Sequence, residues 1–108
     1  RAAVYHNPLE MIVEEVDSPS ISMNEVLVRV RSVGVCPTDL KIYAHGSRIV
    51  KPPVILGHEF SGEVVESNVR TISRGDRINV APDGPCMNCR ECLRGMENLC
   101  RSLLSIGI

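Results

Sequence analysis

Aromatic residues are nearly missing from this chain: 108 residues hold no tryptophan, two tyrosines and one phenylalanine. An interior built on stacked rings is thereby excluded, and Val, Ile, Leu and Met are expected to fill the core. Long apolar runs are missing as well. No stretch approaches the ~20 residues of a membrane-spanning helix, and no signal-peptide pattern is present. Charge of one sign is never concentrated. Twelve basic against thirteen acidic residues leave a net charge of −1, which offers no electrostatic footprint for nucleic acid or an anionic membrane. Repeats, low-complexity segments and linkers are absent too.

What is present is enough chain for one compact domain, 44% of it hydrophobic, with eight glycines and seven prolines as turn formers. There are five cysteines, four of them between positions 86 and 100. An odd, clustered set does not read as a secreted disulfide framework. It points to metal binding in a cytoplasmic protein.

Ala2–Tyr5 and Glu10–Asp17 read as two short strands around a His6-Asn7-Pro8 turn. Pro19 ends that region at an edge or loop. Glu25–Val35 is the clearest strand, with Val26, Val28 and Val30 on one face. The alternation slips at Ser32-Val33-Gly34, which predicts a bulge just before Cys36. Pro37–Ala44 predicts one or two helical turns, opened by Pro37 and stopped by Gly46. Lys51-Pro52-Pro53 is extended. Glu59–Glu66 alternates again, with Phe60, Gly62 and Val64 on one face. Gly75-Asp76 turns into a strand over Arg77–Ala81, and Pro82-Asp83-Gly84-Pro85 opens the cysteine-rich segment. Short strands between Pro/Gly turns predict a mainly β, barrel-like or sandwich-like domain with short helices.

The cysteine pattern is Cys86-x2-Cys89-x2-Cys92-x7-Cys100. Four soft thiolates suit tetrahedral zinc, and a closed four-sulfur site is structural because it leaves no position for substrate. The gap from Leu93 to Leu99 leaves room for a short helical turn. Iron–sulfur ligation is the rival, but the bacterial ferredoxin pattern closes with x3 and then proline, against x7 and Arg101 here. Arg90, Arg94 and Arg101 are interleaved with Asp83, Glu91 and Glu97, a mixed solvated face rather than a nucleic-acid surface.

Cys36, His58 and Glu59 offer a thiol, an imidazole and a carboxylate, a set that suits a catalytic zinc with an open position. By residue type alone the signal is weak, and a buried core histidine, a surface glutamate and a small buried cysteine are the better description. Their neighbours add a resemblance. Gly34-Val35-Cys36-Pro37-Thr38-Asp39, Gly57-His58-Glu59-x2-Gly62, Gly75-Asp76-Arg77-Ile78 and the four-cysteine segment, in that order, resemble the zinc-dependent medium-chain alcohol dehydrogenases. The similarity runs from Ala2 to the end. Tyr43-x-His45-Gly46 with Val50-Lys51-x-Pro53 is similar to the polyol (sorbitol) branch, and the threonine dehydrogenases share much of the frame. His45 itself reads as a solvent histidine beside a helix stop.

The resemblance implies a GroES-like catalytic domain over residues 1–108, partial, with a zinc lobe at 82–101. It implies two zincs per chain. Cys36, His58 and Glu59 would hold the catalytic one, with Glu59 either a ligand or exchanging with water. Cys86, Cys89, Cys92 and Cys100 would hold the structural one. Asp39 would fix the tautomer of His58, and Thr38 would relay the alcohol proton. Zinc would act as a Lewis acid on the alcohol oxygen, and hydride would pass to NAD or NADP. Any nicotinamide contact in this chain would lie near Cys36, Pro37 and Thr38. The implied substrate is a small alcohol or polyol, and the implied full-length protein a homo-oligomer.

Two departures stand out. Pro37 replaces the Gly or polar residue usual in the family. The segment Glu66-Ser67-Asn68-Val69 is about two residues short, with Asn68 where the family has glycine; asparagine is able to adopt the left-handed conformation a glycine supplies. No Gly-x-Gly-x-x-Gly occurs in the 108 residues, so the nucleotide-binding Rossmann domain that the family carries is expected outside this sequence. The chain is thus expected to be a fragment without turnover of its own. The alternative is a zinc-bearing GroES-like module that serves as a catalytically inactive scaffold.

Overall fold

A computed structural model describes residues 1–107, so the last position of the expected 1–108 domain lies outside the described residues. Among the described residues, seven strands and one α-helix follow in chain order: β1 Ala2–Asn7, β2 Glu10–Glu14, β3 Val26–Val33, α1 Pro37–His45, β4 Phe60–Ser67, β5 Arg77–Asn79, β6 Asp83–Gly84 and β7 Leu104–Ser105. Two 3₁₀ turns, Cys92–Arg94 and Glu97–Leu99, lie between β6 and β7. The domain is mainly β, as the turn-rich sequence predicts. Among the described residues the strands form three small antiparallel sheets, β1-β2, β3-β4-β5 and β6-β7. No helix of the described residues is long and apolar enough to cross a membrane.

The first hairpin turns later than expected. His6 and Asn7 belong to β1, and the turn is Pro8-Leu9, with Leu9 at φ 64°. Asn7 Nδ2 donates to Glu10 Oε2 at 2.7 Å across this turn, which accounts for the strand running on. β2 stops at Glu14, three residues short of the expected Asp17.

β3 carries its bulge one position earlier than the sequence suggests. Val30 faces Gly62 and Ser32 faces Ser61, leaving Arg31 as the extra residue. Arg31 donates to Glu63 Oε2 at 3.0 Å, and that bond with the guanidinium charge holds the Glu63 carboxyl below its ordinary range. On β4, Gly62 and Val64 are buried, as the alternation predicts, and Val64 has no exposed surface.

The turn after β4 does not use a left-handed asparagine. Among non-glycine described residues, positive φ occurs at Leu9, Asn24 and Met87, not at Asn68. Instead Ser67 Oγ donates to Ile72 O at 2.7 Å and accepts from Val69 N–H at 3.1 Å. Asn68 uses its side chain elsewhere, donating to Ser22 O at 2.9 Å, while its own N–H bonds Glu25 O. A hydroxyl thus closes the loop.

The core is small and differs from expectation in composition. Tyr5 is its largest fully buried side chain, packed with Ile42 and Val50 and flanked by Tyr43, Val54 and Leu56. The four methionines, expected to help fill the interior, are all exposed. Tyr5 is placed there by β1 pairing with Val54: each N–H bonds the other's carbonyl, at 2.8 and 3.1 Å. This bridge brings the first strand against the segment that leads to His58, and α1 packs Ile42 onto the same cluster. Ile42→Val should lower stability by about 1 kcal/mol in urea unfolding. Ile49→Ala, at a position 86% exposed, should change it by less than about 0.5 kcal/mol.

Candidate metal centres

Two groups of ligand-type side chains converge among the described residues. The first is Cys86, Cys89, Cys92 and Cys100, whose sulfurs all lie within 4.8 Å of one another. Cys89 Sγ is 3.4 Å from Cys92 Sγ, and Cys86 Sγ is 4.0 Å from Cys92 Sγ. Four sulfurs each ~2.3 Å from a central zinc would stand roughly 3.8 Å apart, so the donor set fits that ion. The backbone prepares it. Cys86 N–H points at Cys100 Sγ (3.3 Å), Cys89 N–H at Cys86 Sγ (3.4 Å) and Ser102 N–H at Cys100 Sγ (3.4 Å).

These contacts divide the thiols. The Cys92 backbone N–H is the main influence pulling the Cys89 thiol down from its ordinary value. The Cys86 N–H does the same for Cys100. Burial, first of all, pushes Cys92 up. Sulfurs this close cannot all carry charge unless a cation sits among them.

The lobe's frame is equally local. β6 pairs β7, with Asp83 opposite Ser105 and Gly84 opposite Leu104. Arg101 donates to Glu91 Oε1 at 2.8 Å, which holds the Glu91 carboxyl below its ordinary range. The sequence places the lobe at 82–101; the pairing extends it to Ser105. The single helical turn expected between Leu93 and Leu99 is two 3₁₀ turns, the first ended by Gly95.

The second group is Cys36, His58 and Glu59, whose donor atoms also lie within 4.8 Å of one another. Cys36 is the residue before α1, and its carbonyl accepts the Asp39 and Leu40 N–H groups. Asp39 turns back so that Oδ2 accepts the Cys36 N–H at 2.9 Å. Its other oxygen, Oδ1, is 3.4 Å from His58 Nδ1. Both of these atoms are buried and make no well-formed hydrogen bond among the described residues. A carboxylate beside one ring nitrogen, with the other nitrogen left for a metal, is the usual setting of a ligating histidine. Thr38 lies in the first turn of the same helix, two residues after Cys36.

Gly34 and Gly57 open the two motifs, but the motif spacing does not say what either glycine does. Gly57 sits at φ 116°, a conformation side chains resist, and aims the chain at His58. Gly34 lies against Glu59. Its N–H bonds Glu59 O at 2.7 Å, and a Cβ there would stand 2.6 Å from Glu59 Oε2 and 3.2 Å from Glu59 Cβ. The sequence signal was the broken alternation at Ser32-Val33-Gly34, which reads as a bulge although the glycine serves a close approach. His45, as the sequence suggests, ends α1 outside both groups.

Three comparisons extend this picture. The alcohol dehydrogenase GroES-like domain model matches residues 22–108. Sorbitol dehydrogenase of Bacillus subtilis (strain 168) is 42% identical over 105 residues, which is 93% of this chain and 30% of that protein. L-threonine 3-dehydrogenase of Bacillus licheniformis is 39% identical over 100 residues, 88% of this chain and 29% of its own length. Among solved structures, galactitol-1-phosphate dehydrogenase from Escherichia coli superposes with a TM-score of 0.91 at 33% identity, over 98% of this chain and 31% of that one. A chain from Sinorhizobium meliloti 1021, described as a zinc-binding dehydrogenase bound to NADP, gives 0.89 at 40% identity over 99% of this chain and 32% of its own. The chain thus spans about 30% of the length of the curated relatives it matches.

Removing zinc from the zinc-loaded chain with a chelator should collapse the amide dispersion of residues 82–105 into the narrow unfolded range and leave β3 and β4 ordered. Gly34→Ala should leave the unfolding midpoint nearly unchanged, because Glu59 is exposed and able to yield. It should weaken cobalt(II) binding at the Cys36 group by about tenfold, read from visible absorption.

Proposed function

The chain belongs to the medium-chain alcohol dehydrogenase family, whose GroES-like domain it carries, and from that premise we propose that it supplies the catalytic-zinc half of an NAD(P)-linked dehydrogenase of alcohols or polyols. The observation that carries this reading is the convergence of a thiol, an imidazole and a carboxylate, with donor atoms within 4.8 Å, at the start of α1. Three such ligands leave a fourth position open, which is what a metal needs to take a substrate oxygen.

In this reading Cys36, His58 and Glu59 hold the catalytic zinc, and Cys86, Cys89, Cys92 and Cys100 hold the structural one. The catalytic zinc supplies Lewis acidity toward an alcohol oxygen. The remaining work falls to the chain. Asp39, 3.4 Å from His58 Nδ1, would hold the proton on that nitrogen and leave Nε2 as the lone-pair donor for a metal. The same carboxylate fixes Cys36 through its backbone N–H. The Thr38 hydroxyl, two residues after Cys36 in the first turn of α1, would accept the proton of a substrate hydroxyl and pass it toward solvent. Cys36, Pro37 and Thr38 form the side open to a nicotinamide ring; NAD or NADP would be carried by a nucleotide-binding domain joined to this one in a homo-oligomeric cytoplasmic enzyme. Relatives named for sorbitol, L-threonine and galactitol 1-phosphate support a small hydroxylated substrate.

The test is zinc stoichiometry on the wild type and Cys36→Ala. Two zincs per chain should fall to one. One zinc in both proteins would reject the catalytic site and favour an inactive scaffold. In a full-length enzyme Asp39→Asn should lower kcat/KM for alcohol oxidation by about tenfold to a hundredfold while the four-cysteine zinc stays in place.

A further inference from the structure

A cavity of about 520 Å³ adjoins α1, and its polar lining is cationic. One wall is the face of α1 formed by Thr38, Lys41 and Ile42, which are three and four residues apart and so share one side of the helix. Ser47 and Arg48 line it from the loop after the helix, and Ser105 of β7 adds a further hydroxyl.

Among the described residues no carboxylate lines this cavity. Asp39, on the same helix, is turned to Cys36 and His58. Asp83 is engaged by Ser105, whose hydroxyl donates to Oδ1 at 2.7 Å. Neither Lys41 nor Arg48 has an ion-pair partner among the described residues. Ser47 Oγ already accepts the N–H groups of Ile49 and Val50, at 3.1 and 3.2 Å, so its proton is left to be given away. The cavity therefore offers an ammonium, a guanidinium and a donating hydroxyl from two separate elements. That is the chemistry that holds a phosphate or carboxylate. Its volume lies in the range of small-molecule sites. Thr38 lies both in its wall and two residues from Cys36, so a ligand there reaches toward the metal group.

We propose that this cavity binds the anionic end of the substrate, which makes the substrate an alcohol bearing a phosphate or carboxylate rather than a neutral polyol. The word substrate rests on the dehydrogenase reading above; the anion site does not.

The experiment is a titration of the zinc-loaded, isotopically labelled chain, followed by amide shifts, with sorbitol, sorbitol 6-phosphate, gluconate, inorganic phosphate and NADP as separate probes. Sorbitol 6-phosphate or gluconate should bind at least about tenfold more tightly than sorbitol, with shifts at Thr38, Ser47 and their neighbours, and the tighter of the two identifies the anion. Inorganic phosphate should compete. Lys41→Gln combined with Arg48→Gln should abolish the preference; both side chains are exposed, and unchanged circular dichroism and zinc content would show the fold retained. Equal affinity for all three polyol-type probes overturns the proposal, as does a preference that survives the double substitution. Shifts at the same residues with NADP alone also overturn it, by assigning the cations to the cofactor. Binding is read without turnover, so anion binding by a protein that oxidises no alcohol supports the site and rejects the dehydrogenase reading instead.

Discussion

The carboxylate of Asp39 joins two parts of the chain that are distant in sequence. One oxygen accepts the N–H of Cys36 at 2.9 Å and so sets the entry of α1. The other stands 3.4 Å from His58 Nδ1, across a gap of nineteen residues. Negative charge is favoured at a helix N-terminus, so the group that orders the helix is also available to orient the imidazole. Around this contact the core is arranged: Ile42, one turn further along α1, packs on Tyr5, and Tyr5 is bridged to the Val54 segment that leads to His58. Loosening the Tyr5–Ile42 contact would therefore move the two ends of the Asp39 link apart. Packing and site geometry are one problem here.

Much of this was legible in the residues. α1 was readable because Pro37 and Gly46 punctuate it, and the helix runs from Pro37 to His45. β4 was readable because its alternation is clean, and Val64 lies fully buried. The family was readable because four motifs occur in one order, and the domain model matches residues 22–108. The convergence of Cys36, His58 and Glu59 was expected from that resemblance; spacing alone left them open to a plain structural reading.

What was not legible depended on tertiary contacts. Tyr5 is an ordinary strand residue in sequence, and only its bridge to Val54 makes it the centre of the core. With so few aromatics, the interior was assigned to aliphatic and methionine side chains, yet the methionines stay exposed and a tyrosine is buried. Asn68 looked like a substitute for a turn glycine. The structure assigns that duty to the Ser67 hydroxyl, a choice no local propensity signals. The bulge at Arg31 arises from pairing register with β4, which the pattern of β3 alone does not contain.

The two metal-type groups differ in how their geometry is specified. The four cysteines fall within fifteen residues, and backbone N–H groups of the same segment aim at their sulfurs. That site is encoded locally, and a hairpin of two-residue strands is enough to close it. The Cys36 group draws on α1, on the end of β3 and on the entry to β4. Gly34 N–H bonds Glu59 O only while Val33 faces Phe60. A slip of one residue between β3 and β4 would turn every side chain of the strand to the other face and replace that glycine by Val33 or Val35. A branched Cβ at this place would push the Glu59 carboxylate further aside than a single methyl group, which would itself stand 2.6 Å from Glu59 Oε2. The bulge at Arg31, by pinning the register, is thus a condition for the third donor to lie beside the thiol and the imidazole. The open site depends on long-range pairing, whereas the closed one needs only its own loop. On the proposed function such a division has a purpose, because a group that binds and releases substrate cannot be enclosed by its own segment.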